Sequence, residues 1–255
     1  MHTDSIQAAR SSFEASFSEG SFYNRQTQDQ AHLDAILAVL PLRSGMQVLD
    51  LGTGSGYLAF ALSAQHPELS VTGLDIAEKT LEQNRIRAEA EHLHNLSFVP
   101  GNGITLPFPD AAFDLVITRY ALHHFPDIRS SIAQVRRVLK PGGAFFLSDP
   151  APNPHDEDGF ADAYMRLKPD GHIRFYTAEE WHAICGENGL LLQNSFESRI
   201  RFPRKKAQMH GLDTLLKQFD RQVIAGYGLE ISETEVWITE RVSNLLFRAE
   251  KDERY

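Results

Sequence analysis

Val48-Leu49-Asp50-Leu51-Gly52-Thr53-Gly54-Ser55-Gly56 runs from residues fit for a buried strand into three glycines at alternate positions, with the stretch Tyr57–Gln65 at helical spacing behind them. A strand that breaks into a glycine turn and then a helix brings bare backbone up to a ligand. Glycine has no Cβ in the way and accepts positive φ. The N–H groups of the first helical turn have no partner inside the helix, so they suit an anionic group such as a carboxylate. The spacing argues against two other uses of such a loop. A dinucleotide fingerprint needs its third glycine where Tyr57 stands, and no Gly-Lys-Ser/Thr follows to serve a nucleoside triphosphate.

Outward from this loop the chain alternates short apolar runs with amphipathic stretches. Val48–Leu51, Leu69–Asp75, Leu96–Val99, Phe113–Thr118 and Ala144–Asp149 read as five strands buried on both faces. Tyr57–Gln65, Ala77–Leu93 and Ile128–Lys140 read as the helices between them. In the last, Ile128, Ile132, Val135 and Leu139 form one stripe, and Pro141-Gly142-Gly143 is expected to stop it. Repeated strand–helix–strand units predict an α/β fold, doubly wound on a mostly parallel sheet with right-handed crossovers. The flanks add a helix at Gln28–Leu40, a Pro- and acid-rich loop at residues 151–159 and a helix at Thr177–Asn188. Strands are expected near Leu190–Ser198 and Asn244–Ala249, with helical sequence from Lys205 to Ile224 between them. No linker divides the chain, so one domain of 255 residues is expected: an N-terminal cap (1–45), a ligand-binding core (46–150) and a C-terminal elaboration (151–255).

The net charge of −9 works against a nucleic-acid binder, which needs a basic surface to displace phosphate counterions. The single cysteine, Cys185, has no intrachain partner and favours a reducing compartment. The N-terminus lacks the apolar core of a secretory signal, and no apolar run reaches the length of a membrane span. A cytoplasmic protein that engages neither membrane nor nucleic acid is expected, as monomer or homodimer.

Asp75 closes the second strand where doubly wound folds present a carboxylate to a ribose, and Ile76 beside it offers an apolar surface to a base. The other reading makes Gly52–Gly56 a plain tight turn and Asp75 a cap for the helix from Ala77; both features at one sheet edge in the expected order favour the ligand reading. Arg119 and Tyr120 come at the carboxyl end of the fourth strand, where open sheets bind ligands. His155, Asp156, Glu157 and Asp158 lack the spacing of a folded metal site and read as a solvated acidic loop; no metal is expected. Arg199, Arg201, Arg204, Lys205 and Lys206 read as an exposed basic face, with attraction of an anionic acceptor as the other use. No Gly-x-Ser-x-Gly elbow supports nucleophilic catalysis.

Four segments in order, VLDLGTGSG, TGLDIAE, GNGITLPFPDAAFDLVITRYALHHF and VLKPGGAFFLSDP, resemble the successive motifs of class I S-adenosylmethionine-dependent methyltransferases. The likeness is greatest to the small-molecule branch of the ubiquinone/menaquinone-biosynthesis type. It covers residues 46–150 and continues more weakly through Gly171–Leu190. The resemblance implies a seven-stranded Rossmann-like sheet and S-adenosyl-L-methionine as cofactor. Asp50, Gly52, Thr53 and Gly54 would lie at its methionine part, Asp75 at the ribose and Ile76 at the adenine. Asn102 and Gly103 stand where that family usually has Asp-Ala, and an Asn oxygen still accepts from the adenine amino group. Arg119 and Tyr120 would border the methyl group, and Tyr23, with Arg25, would close over the cofactor. Methyl transfer from a sulfonium is a direct displacement, so the expected function is transfer to a small-molecule acceptor, with a base needed only for an acceptor that loses a proton. His123, His124 and His172 are the candidates for that base; packing is their other use. A cofactor-binding sensor or assembly protein that does not methylate is the alternative, and the glycine spacing opposes a nicotinamide oxidoreductase. Phe17, Phe22, Tyr23, Phe160, Tyr164 and Tyr176 are read either as an aromatic acceptor pocket or as core.

Overall fold

The computed structural model describes residues 29–168 and 171–251. Helix α1 (Gln30–Val39) starts where the Asp29 carboxylate accepts from the backbone N–H groups of Ala31 and His32. Strand β1 (Gln47–Leu51) leads through the glycine loop into α2 (Tyr57–Gln65), followed by β2 (Ser70–Asp75), α3 (Glu78–Ala90), β3 (Leu96–Pro100) and β4 (Phe113–Arg119). Then come α4 (Ile128–Val138), β5 (Leu139–Ala151), α5 (Phe160–Met165), α6 (Ala178–Gly186) and β6 (Leu190–Lys205). The chain continues with α7 (Leu212–Leu216), α8 (Arg221–Gly226), β7 (Glu230–Ile231) and β8 (Glu235–Ala249).

The sheet runs β3-β2-β1-β4-β5-β8-β6. Its first five strands are parallel, and β8 is antiparallel to both neighbours. The predicted seven strands therefore form the sheet path; an eighth, the two-residue β7, pairs with β8 outside it. The order reverses between β1 and β4, and ligands of doubly wound sheets bind at such a switch, beyond the carboxyl ends of the strands.

Strand residues alternate between two buried faces. Val48, Leu115, Ile117 and Phe146 pack with Leu33 and Ile36 of α1 and Leu58 and Leu62 of α2. Leu49, Val116, Phe145 and Phe247 pack with Ile132 and Val135 of α4 and Trp181 of α6. Each fully buried Leu or Phe contributes about 1.5–3 kcal/mol. Cys185 lies in this second layer, where burial pushes its thiol up to about 12. A third cluster beyond the end of β5 joins Phe160, Tyr164, Tyr227, Val236 and Ile238. Phe160 and Tyr164 are thus core, while Tyr176 packs half-buried on Trp181. Among the described residues no helix is long and apolar enough to cross a membrane.

Three boundaries differ from the sequence expectation. Helix α4 ends at Val138, and Pro141-Gly142-Gly143 belongs to β5. The residue before a proline is pushed out of helical geometry, and Leu139 is already extended. Strands β6 and β8 are far longer than expected and pair from Leu190↔Ala249 to Lys205↔Glu235. One residue in two of β8 is buried from Val236 to Asn244, a period-two pattern that carries the strand beyond the parallel core. The helical stretch expected from Lys205 breaks up, because β6 absorbs its start and Gly211 (φ +88°) and the Asp220 cap each restart the chain.

Candidate active site

Gly52, Gly54 and Gly56 all take positive φ, at 72°, 51° and 78°. The loop is bound to the end of β2. Gly52 and Thr53 donate their N–H groups to the Leu74 carbonyl at 2.8 and 2.9 Å, and Gly54 N–H donates to Asp75 Oδ2 at 2.8 Å. The second oxygen of Asp75 accepts from Ala77 N–H at 2.9 Å at the entry to α3. Asp75 thus braces the turn into α3, whose N-cap residue is Ala77, and ties the end of the second strand to the glycine loop, a link not read from the sequence. Half-buried Ile76 follows it at this edge.

Asp50 is buried, and its Oδ2 accepts the Thr53 hydroxyl at 2.7 Å. Loss of hydration pushes this carboxyl up to about 7, against the Thr53 bond and with some repulsion from Asp75. Burial likewise raises Asp75, opposed by the N–H groups of Ala77, Gly54 and Ile76. Two desolvated acids at adjacent strand ends make this edge favourable for a cation, whose charge would draw the proton from Asp50.

Around the loop the predicted residues divide. Arg119 lies with its guanidinium 4.7 Å from the Tyr57 ring centre and 4.0 Å from that of Tyr120. Tyr120 holds φ +55°, a left-handed conformation that bulky residues avoid. Asn102 differs from expectation: its side-chain oxygen accepts from Ile104 and Thr105 N–H at 3.0 and 3.2 Å, forming the turn after β3. That oxygen is spent on backbone, so an adenine contact falls to the exposed amide NH₂ or the main chain. Gly103 answers to packing, since a Cβ there would lie 2.3 Å from the Phe125 ring. Tyr23 and Arg25, with Phe17 and Phe22, lie outside the described residues.

The three histidines come together after β4. Ring centres of His123 and His124 are 4.1 Å apart, and His172 lies 5.5 Å from the first and 6.3 Å from the second. His123 Nδ1 is 3.0 Å from Asp149 Oδ1, and His172 Nε2 is 2.8 Å from Asp162 Oδ1. Asp149 is fully buried, which raises it well above the usual carboxylate range against the His172 charge and nearby backbone N–H groups. Asp162 moves the other way, held low by the His172 bond and Phe175 N–H despite partial burial. Each of these two imidazoles thus has an aspartate side chain fixing its orientation.

Sequence reasoning missed Asp149, Asp162, Asn84 and His32. Asp149 carried a usable signal: like Asp50 and Asp75, it is an acid at the carboxyl end of a buried strand. Asn84, whose amide donates to the Gly54 carbonyl at 2.8 Å, and Asp162 lie on helices with nothing nearby to mark them. The acidic loop also differs from its reading. Asp156 is buried and accepts from Phe160 N–H, Ala161 N–H and the Tyr227 hydroxyl, whereas His155, Glu157 and Asp158 are exposed. Arg204 departs from the expected basic face: it is buried beside Tyr164, with Nη2 2.9 Å from Met165 Sδ. Arg201 pairs with Glu230 over the Trp237 ring. Among the described residues no group of three or more His, Cys, Asp or Glu is arranged to hold a metal ion.

A parallel 3-2-1-4-5 sheet closed by an antiparallel pair, with a glycine loop tied to two strand-end acids, defines a Rossmann-like fold of the methyltransferase kind. The chain belongs to the family described as methyltransferase domain, which it matches over residues 42–189. It is 35% identical over 163 residues to the uncharacterized methyltransferase YcgJ of Bacillus subtilis, covering 64% of each chain. It is 35% identical over 160 residues to the 27-O-demethylrifamycin SV methyltransferase of Amycolatopsis mediterranei, covering 62% of this chain and 58% of that one. The match thus spans less than two thirds of either relative. The solved YcgJ structure superposes with a TM-score of 0.75 at 25% identity, over 88% of this chain and 100% of that one. A putative methyltransferase from Bacillus halodurans shares the fold with a TM-score of 0.78 at 22% identity, over 87% and 100%.

Proposed function

We propose that the protein transfers a methyl group from S-adenosyl-L-methionine to a small-molecule acceptor by in-line displacement. The observation that carries this reading is the pair of strand-end acids, buried Asp50 and half-buried Asp75, bonded to a loop of three left-handed glycines. The residues fit the donor. Bare backbone at Gly52–Gly54 admits the methionine part, strand-end Asp75 suits the ribose hydroxyls, and desolvated Asp50 favours a nearby positive charge. When bound, the donor supplies an activated methyl group on a cationic sulfur. The chain's task is to hold acceptor and donor in line, which is worth about 7–11 kcal/mol of the barrier. Relatives named for rifamycin SV and menaquinone precursors support a small-molecule acceptor. The acidic charge balance and the lone buried thiol support a cytoplasmic setting.

Calorimetry with S-adenosylhomocysteine, followed by product release assayed from S-adenosylmethionine over a panel of acceptors, tests this. Binding together with transfer is expected. No binding sinks the reading, and binding without transfer to any acceptor would leave a sensor.

The histidine cluster is the proposed acceptor-side base. His123, oriented by Asp149, takes the proton of an acceptor hydroxyl, and His172, oriented by Asp162, supports it. His123→Ala is expected to lower kcat by about 10²-fold, the low end for general-base removal, with S-adenosylhomocysteine affinity nearly unchanged. His172→Ala should lower turnover on the same acceptor. Unchanged turnover in both would return these residues to packing.

A further inference from the structure

Helix α1 sends one polar side chain into the apolar layer it packs on. His32 is buried, with its ring edge-on to Phe196 and its Nε2 2.9 Å from Asn244 Oδ1 and 3.2 Å from Ser198 Oγ. The Asn244 amide fixes the tautomer. Its nitrogen has Ser198 Oγ and the Phe196 and Val242 carbonyls within reach to share its two N–H donors, so its oxygen accepts and the imidazole proton sits on Nε2. Nδ1 is then an acceptor, and the Tyr120 hydroxyl lies 3.4 Å from it, with the two rings 6.0 Å apart and nearly parallel. Tyr120 is also the residue at φ +55° beside Arg119, at the β4 end of the ligand edge. Left-handed backbone at a bulky residue persists only where its surroundings hold it. Its own N–H is held by the Ser148 carbonyl at 2.8 Å.

We propose that His32 is a positioning residue for the adenosyl ligand: through the Tyr120 hydroxyl it locks the left-handed turn after β4 in the shape that binds. This rests on the reading that the glycine-loop edge is the adenosyl site. Only neutral imidazole performs the task, because a proton on Nδ1 would face the Tyr120 hydroxyl with a second donor. The ionisable groups around His32 are Asp29 at the start of its own helix and Arg119 and Tyr120 at the β4 end; β6 and β8 present Ser198 and Asn244. Burial and the Arg119 charge keep the imidazole neutral to lower pH, against the Asn244 bond and Asp29.

Calorimetry with S-adenosylhomocysteine on the full chain, its His32→Phe and Tyr120→Phe variants and the double variant tests this. Tyr120→Phe removes one oxygen and leaves the fold intact even where His32→Phe does not. Each single change is expected to raise Kd about 3–10-fold, the range of one hydrogen bond, and the double change no more than the larger single one. Wild-type affinity should also decline on acidification, and His32→Phe should lose the share of that decline that falls below the ordinary imidazole value of about 6.5, keeping the share due to Asp50 and Asp75. Nitrogen-15 spectra of the imidazole should show Nε2–H. Additive single effects, an acid limb identical in wild type and His32→Phe, or an Nδ1–H tautomer would each overturn the positioning role. A wild-type chain that binds no S-adenosylhomocysteine removes the adenosyl reading itself, and the positioning role with it; additive variants of a binding wild type overturn the positioning role alone.

Discussion

Gly52→Ala is expected to abolish adenosyl-ligand binding and to lower the melting temperature by on the order of 10 °C, the shift that a few kcal/mol gives in a chain of this length. Two costs combine at this position. Its φ of +72° is left-handed, which costs a side chain about 1–3 kcal/mol when retained. A methyl group there would also stand 2.5 Å from Ala121 Cβ, and neither group has a rotamer to escape into. Overpacking of that kind costs about 1–3 kcal/mol, and relief would pull the glycine loop off the Leu74 carbonyl. Gly45 supplies the control: it has φ +80°, and nothing lies within 4 Å of an added Cβ. Gly45→Ala should therefore show the backbone cost alone, with normal ligand binding. Thermal unfolding and S-adenosylhomocysteine titration of both variants separate the costs. Equal behaviour of the two would mean that the closeness of Ala121 has no consequence.

The contrast between these glycines marks what the sequence exposed and what it hid. Gly52 stood out because it sits in a pattern, with glycines at alternate positions after a buried strand. The requirement set by Ala121 comes from a residue 69 positions away that β4 brings alongside β1. The parallel core was legible because strands such as Phe113–Arg119 bury both faces, with the apolar run Leu115-Val116-Ile117 at their centre. The long β6–β8 pair was not, because its buried residues alternate with Glu235, Thr239 and Arg241, and one-sided strands give a weaker signal. The site divided in the same way. Asp75 was readable from its place at a strand end. Asn102 showed only its residue type, and the two backbone N–H groups that occupy its oxygen belong to a turn no pattern announced. His32 and Asp162 act through partners on other elements, so their roles appear only once α1 lies on β8 and α5 meets residues 172–175.

Asp75→Asn tests the other half of the site and should raise the Kd for S-adenosylhomocysteine by about 10²-fold or more, since each charge-assisted bond is worth about 1.5–3 kcal/mol. The carboxylate accepts Gly54 N–H on one oxygen and Ala77 N–H on the other. An amide keeps the shape but turns one acceptor into a donor, so one backbone N–H must face another N–H. Either the glycine loop loses its tie or α3 loses its start, and the ribose loses a charged acceptor in both cases. The pH dependence separates binding from folding. Burial raises the Asp75 carboxyl in the folded chain, so the folded state holds that proton more tightly than the unfolded chain does. Its contribution to stability is therefore present below the ordinary carboxylate value and is lost as pH rises through the folded value. Ligand affinity has the opposite slope, because the ribose hydroxyls need the ionised acceptor and acidification removes it. Binding and unfolding followed across the acid range should thus diverge in the wild type. Asp75→Asn should flatten its share of both curves and leave the part due to Asp50, which titrates near 7. A variant that retained wild-type affinity and the same acid limb would show that the ribose lies elsewhere.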